Sequence, residues 1–255
     1  MGFWIAWQFL TIFPGPSPKD GRKHGLGSSL PWFPVIGLVL GGILLGLDQL
    51  FDLFLPQLLN SALLLVALVI LTGALHLDGF MDTCDGFAVR SSAAERLKVM
   101  ADSHVGGFGV TGGYCLLLMK FAAISSLPPE LRAAGLLLMP VIARWSVAYT
   151  ILAFPSARAG GLGERFKEKA SWVMMPIVTI ITLGIAAGLM SWIGPALVAG
   201  IGVVAFLIAK GLSFRLVGLT GDTYGAIIEL AEVCILIAIV IIGEAGGTSW
   251  LDLSS

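Results

Sequence analysis

GAIIELAEVCILIAIVIIG, residues 225–243, is a nineteen-residue run in which only Glu229 and Glu232 carry charge. A helix rises about 1.5 Å per residue, so a run of this length covers most of the roughly 30 Å hydrocarbon core of a bilayer. Carried outward along the chain, the same reading finds six further apolar segments, near 32–54, 58–77, 108–127, 133–153, 173–192 and 195–211. The turn around Gly194 and Pro195 separates the last two. The expected fold is therefore all-α: a polytopic integral membrane protein with about seven transmembrane helices in one membrane-embedded domain over residues 1–255. The opening GFWIAWQFLTIF, residues 2–13, is too short to span, and its tryptophans suit an interfacial or re-entrant helix. It lacks the basic start and small-residue cleavage site of a secretory signal.

Composition agrees. Of 255 residues, 57% are hydrophobic and 12% charged, about half the charge typical of a soluble domain. With 15 Lys and Arg against 16 Asp and Glu, the chain has no electrostatic footprint for nucleic acid. Its 33 glycines and 12 prolines fall within apolar runs, which excludes a disordered linker protein. Cys84, Cys115 and Cys234 share no metal-ligand spacing and read as structural.

Basic residues set the orientation, because positive loops are retained on the cytoplasmic side. Lys19, Arg22 and Lys23 precede the first segment, Arg90, Arg96 and Lys98 follow the second, Arg158, Arg165, Lys167 and Lys169 follow the fourth, and Lys210 and Arg215 follow the sixth. All twelve fall on one side of a seven-span topology, and only Arg132 on the other. The expected location is the cytoplasmic membrane, multi-pass, with the basic loops inside. Lys120 is read as snorkelling to its membrane edge. Arg144, near the middle of the fourth segment, needs an acidic or phosphate partner, with Glu229 or Glu232 the first candidates.

Chemistry must come from polar residues that a bilayer protein otherwise avoids. HLDGFMDTCDGFAVR, residues 76–90, places Asp78, Asp82 and Asp85 at helical steps of four and three, within about 60° of one another on one face. Like charges so stacked repel, so either some protonate or cations bind between them. All-oxygen ligation favours a hard divalent ion, Mg²⁺ or Mn²⁺. Asp102, in MADSHVGGFGV just before the third segment, is placed to close the same site. A solvated acidic helix end, neutralised by Arg90, Arg96 and Lys98, is the plain alternative. Gly79 and Gly86 allow a second helix or a phosphate to approach the backbone. His76 and His104, at the ends of this stretch, read as hydrogen-bonding residues. A second cluster, GLTGDTYGAIIELAE, residues 218–232, puts Asp222, Glu229 and Glu232 on nearly one face, as a substrate-facing wall. The loop 160–171 reads as a basic anchor or a cover over the mouth.

HLDGFMDTCDGF, KVMADSHVGGFGV and GLTGDTYGA together resemble the cobalamin synthase family, the adenosylcobinamide-GDP ribazoletransferases. The resemblance covers essentially the whole chain. It implies a Mg²⁺-dependent membrane transferase that joins adenosylcobinamide-GDP to α-ribazole or its 5′-phosphate, giving adenosylcobalamin or its phosphate and GMP. A second copy of the chain, or other cobalamin-pathway enzymes, stand as candidate protein partners. A weaker resemblance, to the CDP-alcohol phosphotransferases, rests on Asp82, Asp85, Gly86 and Arg90, with Val89 in place of Ala. Its second half departs: the positions of its glycine and last two acids fall on Val99, Ser103 and Gly107, while the carboxylate present is Asp102. A lipid-alcohol phosphotransferase and a transporter are the alternative readings.

In both families a nucleotide-activated phosphodiester is attacked by an alcohol, so negative charge builds on a phosphoryl group. One or two Mg²⁺ ions held by Asp82, Asp85 and Asp102 would offset it, with Asp78 either a fourth ligand or the general base. Arg90 and Lys98 are the expected phosphate grips, against plainer roles as membrane anchor and as Asp102's partner. Arg144, Asp222, Glu229 and Glu232 complete the expected substrate contacts.

Overall fold

The computed structural model describes residues 1–16, 25–168, 170 and 172–246. Lys19, Arg22, Lys23 and Lys169 of the basic set lie outside the described residues. The chain forms α1 (Gly2–Leu10), a 3-10 helix over Leu26–Trp32, α2 (Phe33–Asp52), α3 (Gln57–Leu71), α4 (Leu75–Ala88), α5 (Ala93–Val99) and α6 (Gly107–Ser125). It continues through α7 (Pro129–Ala153), α8 (Leu162–Lys167), α9 (Met174–Met190), α10 (Ile193–Leu216) and α11 (Gly221–Glu244). The described residues hold no strand, only an isolated bridge between Ser156 and Leu219.

The seven expected segments correspond to α2, α3, α6, α7, α9, α10 and α11. Five helical stretches, including Leu26–Asp52, are long and apolar enough to cross a membrane alone, and α3 with α4 makes a sixth if that bent pair is counted once. The shortfall from seven has two causes. α9 has 17 residues, fewer than the roughly 20 an upright span needs. α3 stops after 15 residues because Gly73 (φ +62°) and Ala74 (φ +56°) turn left-handed, and α4 leaves the break bent by 87°. α1, at nine residues, cannot span. The chain is an all-α, multi-pass membrane protein.

α7 is the hub, with most of its residues buried, Leu138 through Ala148 without interruption. In lipid, helices associate through close packing more than by excluding water, so small residues mark the tightest crossings. Gly37 and Gly41 on α2 do so here: a Cβ at Gly37 would stand 2.4 Å from the Pro140 carbonyl oxygen, and one at Gly41 2.8 Å from Leu137 Cα. Where α2, α3 and α7 converge, Arg132 donates to both carboxylate oxygens of Asp48 from Nε, at 2.9 and 3.2 Å, and Asn60 donates to Asp48 at 2.8 Å. That pair accounts for the one basic residue assigned opposite the basic loops.

At the other end three connections meet. Ala157 donates to the Leu219 carbonyl at 2.9 Å and Leu219 to that of Pro155 at 2.8 Å, tying the α7–α8 connection to the start of α11. Gly218, at φ +140°, makes this possible, since a Cβ there would sit 2.6 Å from Ala157 N. Arg158 reaches across to donate to the Leu97 carbonyl at 2.7 Å, fastening α5 to the same end.

Candidate active site

α4 carries Asp78, Asp82 and Asp85 on one helix, as their spacing predicts. Two glycines set how α4 meets α11. A Cβ at Gly79 would lie 2.8 Å from Asp222 Cα, and one at Gly225 2.8 Å from the His76 carbonyl oxygen. The Asp-Gly step at 78–79 therefore admits a helix, and the residue it admits is Asp222. That acid is held in the first turn of α11 by a capping box: Thr220 N donates to Thr223 Oγ1 at 2.8 Å and Thr223 N to Thr220 Oγ1 at 3.3 Å. Thr220 Oγ1 donates on to Asp222 at 3.2 Å, and the helix N-terminus favours the negative charge.

Asp82 is the focus of the cluster, within electrostatic reach of Asp78, Asp222 and Asp85 and opposed by one cation, Arg158. Asp222 likewise feels Arg158 and Asp78. Asp78 is exposed, and Asp82, Asp222 and Arg158 are half-buried, so all four groups can meet a ligand from water. Arg158 entered the sequence reading only as a basic-loop residue. It is brought here by backbone pairing between segments sixty residues apart, and no local pattern announces that.

Asp85 is partly committed elsewhere. Its carboxylate accepts from Gly106 N and Gly109 N, both at 2.8 Å, and so caps α6 from a neighbouring helix. Only glycine fits, because a Cβ at either position would stand 2.4 Å from a carboxylate oxygen. Asp102 stands apart from the other acids, on the exposed connection before α6. It accepts from His104 N at 3.0 Å and pairs with His104 Nδ1 at 2.8 Å, and these bonds hold its carboxyl below the usual carboxylate range. Asp85 and Asp102 both line a cleft of about 420 Å³, with Val99, Gly106 and Phe108.

Arg90 and Lys98 are exposed, which leaves both open to a ligand from water. Other expectations are corrected. The arginine that works hardest nearby is Arg96, which donates to the carbonyls of Gly86 and Phe87 at 3.2 and 3.1 Å, closes the end of α4, and lies 5.4 Å from the Phe87 ring centroid. Glu229 and Glu232 do not form a substrate-facing wall. Lys120, 1% exposed, donates to both, and Arg144, 0% exposed, donates to Glu232. Lys120 does not snorkel, because α6 packs against α11 and its ammonium is taken up by these two carboxylates inside the bundle. Arg144 has one of the two partners expected of it. His76, buried against this network, has no hydrogen-bond partner at either ring nitrogen, contrary to the backbone bond expected.

The acids fit a hard cation by chemistry. Among the described residues no three His, Cys, Asp or Glu side chains are grouped so as to hold one ion. Mg²⁺ seldom requires such a cage: it keeps several waters and is usually held by one or two carboxylates together with a substrate's phosphates. A paired-acid site facing water, with an arginine beside it, matches that mode.

Fold and site together define a multi-pass helical membrane protein whose polar chemistry is gathered at one end of the bundle, around three acids and an arginine. The chain belongs to the cobalamin-5-phosphate synthase family, whose model matches residues 2–240. It is similar to the adenosylcobinamide-GDP ribazoletransferase of Desulfitobacterium hafniense strain Y51, 37% identical over 241 residues that cover 92% of this chain and 94% of that one. The enzyme of the same name from Geotalea daltonii is 36% identical over 94% of this chain and 97% of its own length, and that of Pseudomonas savastanoi pv. phaseolicola 37% identical over 94% and 99%. No solved structure matches the chain.

Proposed function

We propose that the protein joins adenosylcobinamide-GDP to α-ribazole or its 5′-phosphate at the cluster of Asp78, Asp82, Asp222 and Arg158, in the cytoplasmic membrane with the cluster facing the cytoplasm. One observation carries the reading: Asp78 and Asp82 on α4 and Asp222, packed against Gly79 from α11, share one end of the bundle within electrostatic reach of one another, with a single arginine opposing them. Such a cluster suits a substrate that brings phosphates and a divalent cation with it. The basic residues on the connections at the same end support the orientation.

In the reaction, the ribose hydroxyl oxygen of α-ribazole bonds to the phosphorus attached to cobinamide. The bond from that phosphorus to the oxygen of the leaving GMP breaks, and the hydroxyl proton passes to a carboxylate and then to water. Asp82 and Asp78 are the carboxylates we assign to Mg²⁺, with Asp102 facing the phosphates from the cleft and Asp85 holding α6 in place. When bound, the ion neutralises charge that builds on the diphosphate. Arg158, half-buried and fixed by its bond to Leu97, offers the planar fork that grips phosphate oxygens. Asp222 lies on α11 beside Asp78 and is well placed to orient the attacking hydroxyl and accept its proton.

Purified protein in lipid nanodiscs, given adenosylcobinamide-GDP, α-ribazole and Mg²⁺, should release GMP in step with cobalamin. A chelator should stop both, and Mg²⁺ or Mn²⁺ restore them. GMP release only with a lipid alcohol, or undiminished turnover in excess chelator, would overturn the assignment.

A further inference from the structure

A narrow pocket of about 120 Å³ runs from Asp78 and Asp222 into the bundle, between α1, α2, α4, α7, α8 and α11. Its wall is aromatic and aliphatic: Phe9, Phe33 and Phe166 pack on one another, with ring centroids 5.2 to 6.1 Å apart, and Ile151 lies opposite. Asp78 and Asp222 stand at its mouth, and two further polar side chains line it. His76 and Tyr224, each 3% exposed, have no hydrogen-bond partner for either imidazole nitrogen or for the phenol. Buried polar atoms left so are costly, and two of them facing one apolar hole prepare it for a flat ligand that carries a hydrogen-bonding atom.

We infer that this pocket takes the aromatic base of the acceptor nucleoside, with His76 or Tyr224 meeting its one free ring nitrogen; the inference rests on the transferase reading above. Size and polarity bear on the parts of the two substrates. An apolar cavity of roughly 150 Å³ holds a benzene ring, so this one, somewhat smaller, is far too small for a corrin and must widen toward its mouth at Asp78 and Asp222 to seat a small fused ring. Guanine presents several donors and acceptors along its edges, more than the two side chains beyond the acids at the mouth can satisfy. A benzimidazole joined to ribose through one nitrogen leaves a single acceptor with one lone pair, to which either Nε2–H of neutral imidazole or the Tyr224 hydroxyl can donate. With the base seated, its ribose emerges beside Asp78 and Asp222, where the hydroxyl is to lose its proton. Recognition of the base is thus built into the same two helices that hold the acids.

The test uses full-length protein in nanodiscs and separates the two substrates. Tyr224→Phe removes the hydroxyl and His76→Phe the imidazole, so KM for α-ribazole should rise about tenfold in at least one of them, with KM for adenosylcobinamide-GDP and kcat within about twofold of the parent. Free benzimidazole should compete with α-ribazole and not with adenosylcobinamide-GDP, a measurement that needs no variant. An unchanged α-ribazole KM in both variants, benzimidazole competition against the GDP substrate, or equal inhibition by decane would overturn the pocket assignment while active wild-type protein left the transferase reading intact. Wild-type protein that forms no cobalamin would remove that reading and this one with it.

Discussion

Replacing Lys120 with Met keeps the length of the side chain but takes one charge from a buried group of two cations and two anions: Lys120 and Arg144 against Glu229 and Glu232. Arg144 still neutralises Glu232, but Glu229 loses its partner inside the bundle. Breaking a buried pair by removing one member costs about 3–5 kcal/mol, because the remaining charge is neither hydrated nor matched. The same logic makes the double variant informative. Lys120→Met with Glu229→Gln leaves Arg144 and Glu232 as a matched pair, and exchanging a buried ion pair for neutral groups of similar volume is often close to neutral. The double variant should therefore recover most of the loss, giving a coupling energy of roughly 2–4 kcal/mol, above the 0.5–3 kcal/mol usual for touching residues. Unfolding in mixed detergent micelles, titrated with SDS and followed by tryptophan fluorescence, measures all four corners of the cycle. Wild-type stability for Lys120→Met, or a double variant whose loss equals the sum of the two singles, would refute the network.

Three other expectations are more direct. Asp82→Asn preserves shape and removes the central charge of the cluster, so GMP release should fall by about three orders of magnitude while membrane insertion, read by protease protection, is unchanged. Arg158→Lys keeps the charge but loses the fork, and KM for adenosylcobinamide-GDP should rise by about tenfold or more, a shift absent if Arg158 serves only to hold α5. Gly79→Ala drives a Cβ to within 2.8 Å of the Asp222 backbone, so α11 must move. We expect a loss of about 1–3 kcal/mol in the same SDS titration and a drop in kcat, with Gly42→Ala, which meets no neighbour within 4 Å, as the silent control.

The apolar lengths made the bundle legible in the sequence, because hydrocarbon thickness alone dictates them. The acids of α4 were legible through periodicity, since three like charges on one face need an explanation wherever they lie. What escaped was pairing at a distance. Lys120 looks like an edge residue when only its own segment is considered, and Glu229 with Glu232 look like a ligand wall for the same reason; the close approach of α6 to α11 changes the meaning of all three. Asp222 and Arg158 joined the acids of α4 through one glycine contact and two backbone hydrogen bonds, signals that carry no periodicity. Asp85 reads as one more carboxylate until the glycines of α6 reveal it as a cap. The left-handed pair at Gly73 and Ala74 was hidden inside an apolar run that reads as one uninterrupted span.

That elbow after α3 has a consequence for how so bulky a cargo is handled. By laying α4 nearly at right angles to the helix before it, the chain would, under the proposed assignment, keep its acids in the shallows, where a macrocycle tethered to a nucleotide can dock without being dragged through oil. Only the smallest, flattest piece of the incoming molecules would then dip below the waterline.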